Sequence, residues 1–225
     1  MATNLPVAAA SARLPRIPRG MSLSALVRRR HCGGLSHAEL GEIGLMQHVI
    51  LVRYEGIRRQ SGAPATDHFF AVQDVLVTLN FGVVAELIGL GHDLVEDGVM
   101  TADEITETVG PKVASGILVL SKGPEYKGNP SAYSDQILEA VMRGFWEPGV
   151  AKLADRGHNL RTLDGFKDPG REAAYLAGTE KYILPLAEAA RAWVALYAPA
   201  KLASYDVLCA MLYDEYRVQC RRLVV

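Results

Sequence analysis

Gly91-His92-Asp93-Leu94-Val95-Glu96-Asp97-Gly98 sets four ionisable side chains into six positions, directly after the apolar run 83–91. Read as a helix, the stretch places His92 and Glu96 four apart, and Asp93 and Glu96 three apart, on one face. A helix that carries such groups out of an apolar run sets them at the rim of a core. Burying them unpaired costs roughly several kcal/mol each. A positive partner is therefore expected, and a divalent metal is the simplest one. The plainer alternative is a polar helix end with solvated carboxylates. The helical period of this run is the one the chain keeps on either side.

Working outward, Ser36-His37-Ala38-Glu39 forms a capping-box pattern. Leu40, Ile43, Gln47, Ile50, Leu51, Tyr54 and Ile57 then recur at helical spacing, which predicts a helix to about Arg59. Ser61-Gly62-Ala63-Pro64 ends it. Asp67 is expected to cap a second helix bearing His68, Val72, Val75, Leu76 and Leu79. After a break at Phe81-Gly82, a third runs from Val83 to near Gly98. Thr101-Ala102-Asp103-Glu104 is a second capping box, opening a short helix before Gly110-Pro111. Further helices are predicted over 112–121, 131–143, 148–156, 181–197 and 204–222, with another that Asp168-Pro169 starts over 172–176 and a breaker-rich loop at 123–130. Period-2 stretches, internal repeats and Rossmann or P-loop glycine patterns are absent from the sequence. The expected class is all-α: a helical bundle over 36–198, an extra C-terminal helix within 199–225, and a basic N-terminal tail over 1–35.

The 225 residues suffice for one sizeable core. The formal charge is −1, which argues against a general affinity for nucleic acid or membrane. Six arginines (Arg13, Arg16, Arg19, Arg28, Arg29 and Arg30) fall in the first 38 residues, where no acid occurs, so the remainder carries −7. That composition also suits an organelle transit peptide, but a basic tail is the preferred reading. Cys32, Cys209 and Cys220 have no paired spacing and are odd in number, as expected of reduced thiols in a cytoplasmic protein. The best apolar run is broken by Asn80 and Glu86, so no membrane span is expected.

Three separated stretches supply groups that suit one metal: His68, His92-Asp93, and Asp155 within Leu153-Ala154-Asp155-Arg156. Two imidazoles and two carboxylates suit Mn, Fe, Co, Ni or Zn better than Ca or Mg. Four protein ligands on an octahedral ion leave positions for water and substrate.

On these motifs the chain resembles the HD-domain phosphohydrolases, most of all the hydrolase domain of the RelA/SpoT alarmone enzymes and small alarmone hydrolases. The motifs are Arg59-Gln60-Ser61-Gly62-Ala63-Pro64 leading to His68, His92-Asp93-Leu94-Val95-Glu96-Asp97, and Leu153-Ala154-Asp155-Arg156 with His158-Asn159 and Arg161-Thr162-Leu163. The resemblance spans about 50–190. It implies that His68, His92, Asp93 and Asp155 hold a divalent ion, manganese above all, and that Glu96 and Asp97 orient or deprotonate the attacking water. The implied reaction removes pyrophosphate from the 3′ position of guanosine tetra- or pentaphosphate. Arg59 then matches the residue packing on guanine, Asn159 and Thr162 the nucleoside pocket, and Lys122 a phosphate contact. Tyr133 and Arg161 also face the pocket on this reading.

Some positions depart from the family pattern. Phe69 stands where Pro usually follows the first His, Ala65 replaces an aromatic residue, Gly98 follows Glu96-Asp97 in place of Thr, and Gly157 precedes His158-Asn159. These leave the ligands intact and touch the pocket wall. They keep open a phosphohydrolase for another nucleotide, a deoxynucleoside triphosphate or NADPH, and a module that binds a nucleotide without turnover. His158 reads as a hydrogen-bonding support for a ligand. His31, His37, His48 and the Arg28–Arg30 run read as surface features. Val207, Leu208, Met211 and Leu212 leave packing on the domain or on a second subunit as alternatives.

Overall fold

The Ser36 hydroxyl accepts from the Glu39 N–H while the Glu39 carboxylate accepts from the Ser36 N–H, so the predicted capping box opens α1, His37–Arg53. The computed structural model describes residues 34–126, 128–166 and 168–223; the Arg-rich stretch, His31 and Cys32 lie outside them. Helix α1 stops at Arg53, one and a half turns short of the expected Arg59. Gly56, at φ +75°, takes a left-handed conformation that breaks the helical path. Residues 57–65 then fold back as a small loop, closed by Ala65 N–H to Ile57 O and Arg59 N–H to Ala63 O, both 2.9 Å.

Helix α2, Ala65–Thr78, is preceded by Pro64 at its cap; Asp67 is not the cap but sits in the first turn, where a negative charge suits the helix N-terminus. Helix α3, Val83–Gly91, ends before the acidic cluster, not near Gly98. Residues 92–98 form a tight turn, with Leu94 N–H to Gly91 O at 3.0 Å and Gly98 at φ +66°. The one-face helical geometry expected for His92, Asp93 and Glu96 therefore does not apply.

The second capping box opens α4, Ala102–Val109, and Gly110 passes the chain into α5, Pro111–Leu120. Then come α6, Pro130–Met142, and α7, Glu147–Arg161, which continues past the expected end at Arg156. Asp168 caps α8, Pro169–Gly178. A π-turn, Thr179–Ile183, joins it to α9, Leu184–Tyr197, at the place where a plain helix from 181 was expected. Pro185 accounts for the irregularity, because it has no N–H for the carbonyl of Lys181 and its ring crowds that turn. The last helix, α10, is Leu202–Leu223.

Among the described residues no β-strand forms, and the fold is all-α. The centre is α7, whose residues 147–155 are all buried. It packs against α2, α3, α5 and α6, and α10 lies along it. Residues from Ser36 onward form a single compact unit. Among the described residues no helix is long and apolar enough to cross a membrane. Cys209 and Cys220 are free thiols.

Candidate metal centre

His68 projects from the first turn of α2, His92 closes α3, Asp93 begins the turn after it, and Asp155 lies mid-way along α7. These elements touch one another, so the four side chains meet. His68, His92 and Asp155 are 5%, 3% and 4% exposed, while Asp93 is half-buried. His68 Nε2 lies 3.1 Å from His92 Nε2 and 3.3 Å from Asp155 Oδ1. His92 Nε2 lies 3.2 Å from Asp93 Oδ2 and 3.6 Å from Asp155 Oδ1. Donors set about 2.1 Å from one ion are about 3.0 Å apart at right angles and about 3.4 Å apart in a tetrahedron. The observed separations match that spacing, and His68, His92 and Asp93 alone already form a possible metal-binding group.

Supporting hydrogen bonds point the donor atoms inward. His92 Nδ1 donates to Gly89 O at 2.8 Å, so in the neutral ring Nε2 holds the lone pair. His68 Nδ1 is 2.8 Å from His158 Nδ1. With His68 Nε2 aimed at the centre, the hydrogen-bond network assigns the shared proton to His68 Nδ1 and makes neutral His158 the acceptor. Burial keeps His158 neutral, holding it down to about 3. Asp155 Oδ2 accepts from Lys152 Nζ at 2.7 Å and Oδ1 from Asn159 Nδ2 at 2.5 Å.

The electrostatics of the cluster favour positive charge at its centre. Burial disfavours a charged His92, yet Asp93 and Asp155 outweigh burial and lift it to about 10. Burial raises Asp93, but the His92 charge prevails and holds it near about 2. Burial likewise opposes ionised Asp155, and Lys152, then His68 and His92, bring it well below the usual carboxylate range. His68 is held down to about 4, chiefly by burial. The pull that fixes a proton on His92 is the same pull a divalent ion would feel at that point.

In front of the cluster opens a cavity of about 380 Å³, with His68, Asp93 and Asp97 on its wall. Arg59, Asn159 and Thr162 line it too. Arg59 Nη2 donates to Asn159 Oδ1, and Arg59 Nη1 finds no hydrogen-bond partner among the described residues although it is buried. Arg59, Asn159 and Asp155 thus form one hydrogen-bonded chain from cavity to centre.

Not every expected residue faces this cavity. Glu96 is turned to Lys122, which meets it with both its backbone N–H, at 3.3 Å, and its ammonium, at 3.4 Å. Arg161 reaches the other way and pairs with Glu215 on α10 at 2.8 Å. The ammonium groups of Lys122 and Lys152 lie over the Tyr133 ring, 5.2 and 5.4 Å from its centroid, and its hydroxyl donates to Leu120 O.

Sequence reasoning missed Lys152, buried in the structure, whose place among the apolar residues 150–154, three positions before Asp155, was a legible signal. It also missed Tyr54, counted only as a periodic apolar residue; its hydroxyl donates to Asp97 Oδ2 at 2.8 Å. Phe166 and Tyr175, which close the far cavity wall, carry no sequence mark.

No family model matches the chain. Over 144 residues, 60% of its length, it is 30% identical to a GTP pyrophosphokinase of Myxococcus xanthus, matching 18% of that protein. It is 30% identical over 139 residues to a guanosine-3′,5′-bis(diphosphate) 3′-pyrophosphohydrolase of Haemophilus influenzae, matching 20% of it. It is 28% identical over 138 residues to the bifunctional (p)ppGpp synthase/hydrolase SpoT of Escherichia coli K12, again matching 20%. The chain spans about a fifth of the length of these relatives. It is thus related to the RelA/SpoT-type enzymes of (p)ppGpp metabolism, whose names cover both synthesis and hydrolysis.

Proposed function

We propose that the chain is an HD-type, metal-dependent phosphohydrolase that releases pyrophosphate from the 3′ position of guanosine tetra- or pentaphosphate, leaving GDP or GTP. The observation that carries this reading is the convergence of two imidazoles and two carboxylates from α2, the end of α3 and α7 beside a nucleoside-sized cavity. His68, His92, Asp93 and Asp155 would hold Mn²⁺. When bound there, the ion would lower the pKa of water and neutralise phosphate oxygens.

Hydrolysis breaks the bond between the 3′ oxygen and its phosphorus; the 3′ oxygen leaves with a proton and pyrophosphate keeps the oxygen of water. Asp97, on the cavity wall, accepts a hydrogen bond from that water and orients it. Glu96 precedes it in the chain and pairs with Lys122 at 3.4 Å; on this reading the ammonium would turn from that carboxylate to the departing phosphates. Arg59, tethered by Asn159, offers a guanidinium plane to the base, and the burial of its unpartnered Nη1 favours a ligand that accepts there.

The test is release of pyrophosphate from the tetraphosphate by purified protein with Mn²⁺ after chelation. Wild type should turn over, and Asp155→Ala should be at least about 100-fold slower, since even supporting residues of metal sites often cost that much. Equal rates for the two proteins would refute the proposal. Running deoxynucleoside triphosphates and NADPH alongside decides the substrate. A clear preference for one without a 3′-diphosphate would replace the alarmone, and tight binding without turnover would indicate a sensor.

A further inference from the structure

Of the two neighbouring acids, Glu96 is held by Lys122, from the segment following α5, while Asp97 is held from α1. Asp97 sits at the exposed end, 96–98, of the turn 92–98, next to Gly98. A carboxylate in that position has rotamer freedom to lose before it can hold a water in one place. Tyr54 is the opposite kind of residue. It ends α1 with its N–H on Ile50 O at 3.1 Å, is 4% exposed, and rests its ring on Phe69 with centroids 4.6 Å apart. Its hydroxyl is therefore fixed by packing, and it reaches Asp97 Oδ2 at 2.8 Å. Both residues line the cavity beside His68 and Asp93.

We propose that Tyr54 is a positioning residue for catalysis: its hydroxyl anchors one oxygen of Asp97 so that the other is presented to the attacking water. The inference rests on the phosphohydrolase reading and adds α1 to the elements that build the site. The hydroxyl stays a donor, because burial, and then the Asp97 hydrogen bond, raise its pKa above the ordinary tyrosine value. The proton in the contact thus belongs to Tyr54, and Asp97 remains an acceptor toward water. The Tyr54 hydroxyl bonds to none of the four residues of the donor set, so its removal acts on turnover and not on metal binding.

Steady-state kinetics with Mn²⁺ and the tetraphosphate test this. Tyr54→Phe keeps the packed ring and removes only the hydroxyl. It should lower kcat by about tenfold to a hundredfold with KM and Mn²⁺ affinity within about twofold, since loss of positioning slows the step without weakening binding. Placed in an Asp97→Asn background, the same substitution should have no further effect. Should Tyr54→Phe melt far below wild type, the Asp97→Asn pair still decides, because a purely structural loss appears equally with either residue at 97. An active wild type whose kcat survives Tyr54→Phe, or losses that multiply in the double variant, overturns the inference alone. A wild type inactive on every nucleotide overturns the parent reading and this one with it.

Discussion

His92 is where the charge balance of the centre is set, because it faces Asp93 and Asp155 at once. In the metal-free protein it keeps its proton up to about 10, against 6.5 when unfolded. The folded state thus binds more protons between those values, and stability is lost as pH rises through that window. His68 and His158 act in the opposite sense, being held down to about 4 and about 3. There the unfolded chain binds protons that the folded one refuses, so stability also falls as pH drops below about 6.5. Asp93, near about 2, contributes stability above its ordinary value of 3.8 that is lost as pH falls toward 2. The metal-free protein should therefore be most stable close to about pH 6.5. Saturating Mn²⁺ should flatten the alkaline decline, because the cation replaces the proton on His92. Urea midpoints at about pH 5, 6.5 and 9, with chelator and with Mn²⁺, test the profile. A chelated protein that keeps its full midpoint from about pH 6.5 to 9 would rule out this charge balance.

Among the elements, α3 leads into the His-Asp pair, whose position depends on how closely α3 meets α5. Two glycines set that distance reciprocally. A Cβ on Gly91 would come within 2.4 Å of Ile117 Cδ1, and one on Gly116 within 2.2 Å of Ile88 Cδ1 and 3.0 Å of Phe145 Cζ. Ile88 and Ile117 are fully buried, so neither has open space to move into. Gly116→Ala should destabilise the protein by about 1–3 kcal/mol through overpacking, despite the better helix propensity of Ala. Chemical denaturation measures it, and a neutral effect would show that the α3–α5 contact yields. The elements that were legible in sequence share a local cause. Ser36 and Thr101 open their helices through bonds spanning three residues, and Asp168 caps α8 within its own turn. What was not legible has a tertiary or conformational cause. The apolar rhythm continues through Tyr54 and Ile57, yet Gly56 ends α1 before them. The helical pattern likewise runs on through Leu94 and Val95, yet the chain turns at His92. The same division holds at the site. Residue types at 68, 92, 93 and 155 were readable as a donor set. That Arg161 would be drawn to Glu215, and Tyr54 to Asp97, depends on how α10 and α1 pack.

At the scale of the molecule, the centre joins stretches that the chain keeps far apart: His92 lies 24 positions after His68, and His158 lies 90 positions after it. Three helical elements are thereby brought to a point where two carboxylates, buried Asp155 and half-buried Asp93, would otherwise repel. The centre forms only when α2, α3 and α7 are docked, so an ion held there binds the folded state and not the unfolded chain. Its binding energy then adds to global stability, by about 2.7 kcal/mol at a free concentration 100 times the dissociation constant. Chelation should accordingly lower the midpoint of thermal unfolding, and added Mn²⁺ should restore it in a concentration-dependent way. Asp155→Ala separates this from nonspecific ion effects. It removes the carboxylate that α7 contributes to the proposed donor set and leaves Lys152 a buried cation without its partner, so the variant should melt lower and gain nothing from Mn²⁺. Amide hydrogen exchange localises the effect: protection gained with Mn²⁺ should centre on the start of α2, the turn 92–98 and the middle of α7, and spare α4. An ion that stabilises wild type and Asp155→Ala equally, or that protects α4 as strongly as α7, is bound somewhere other than this centre.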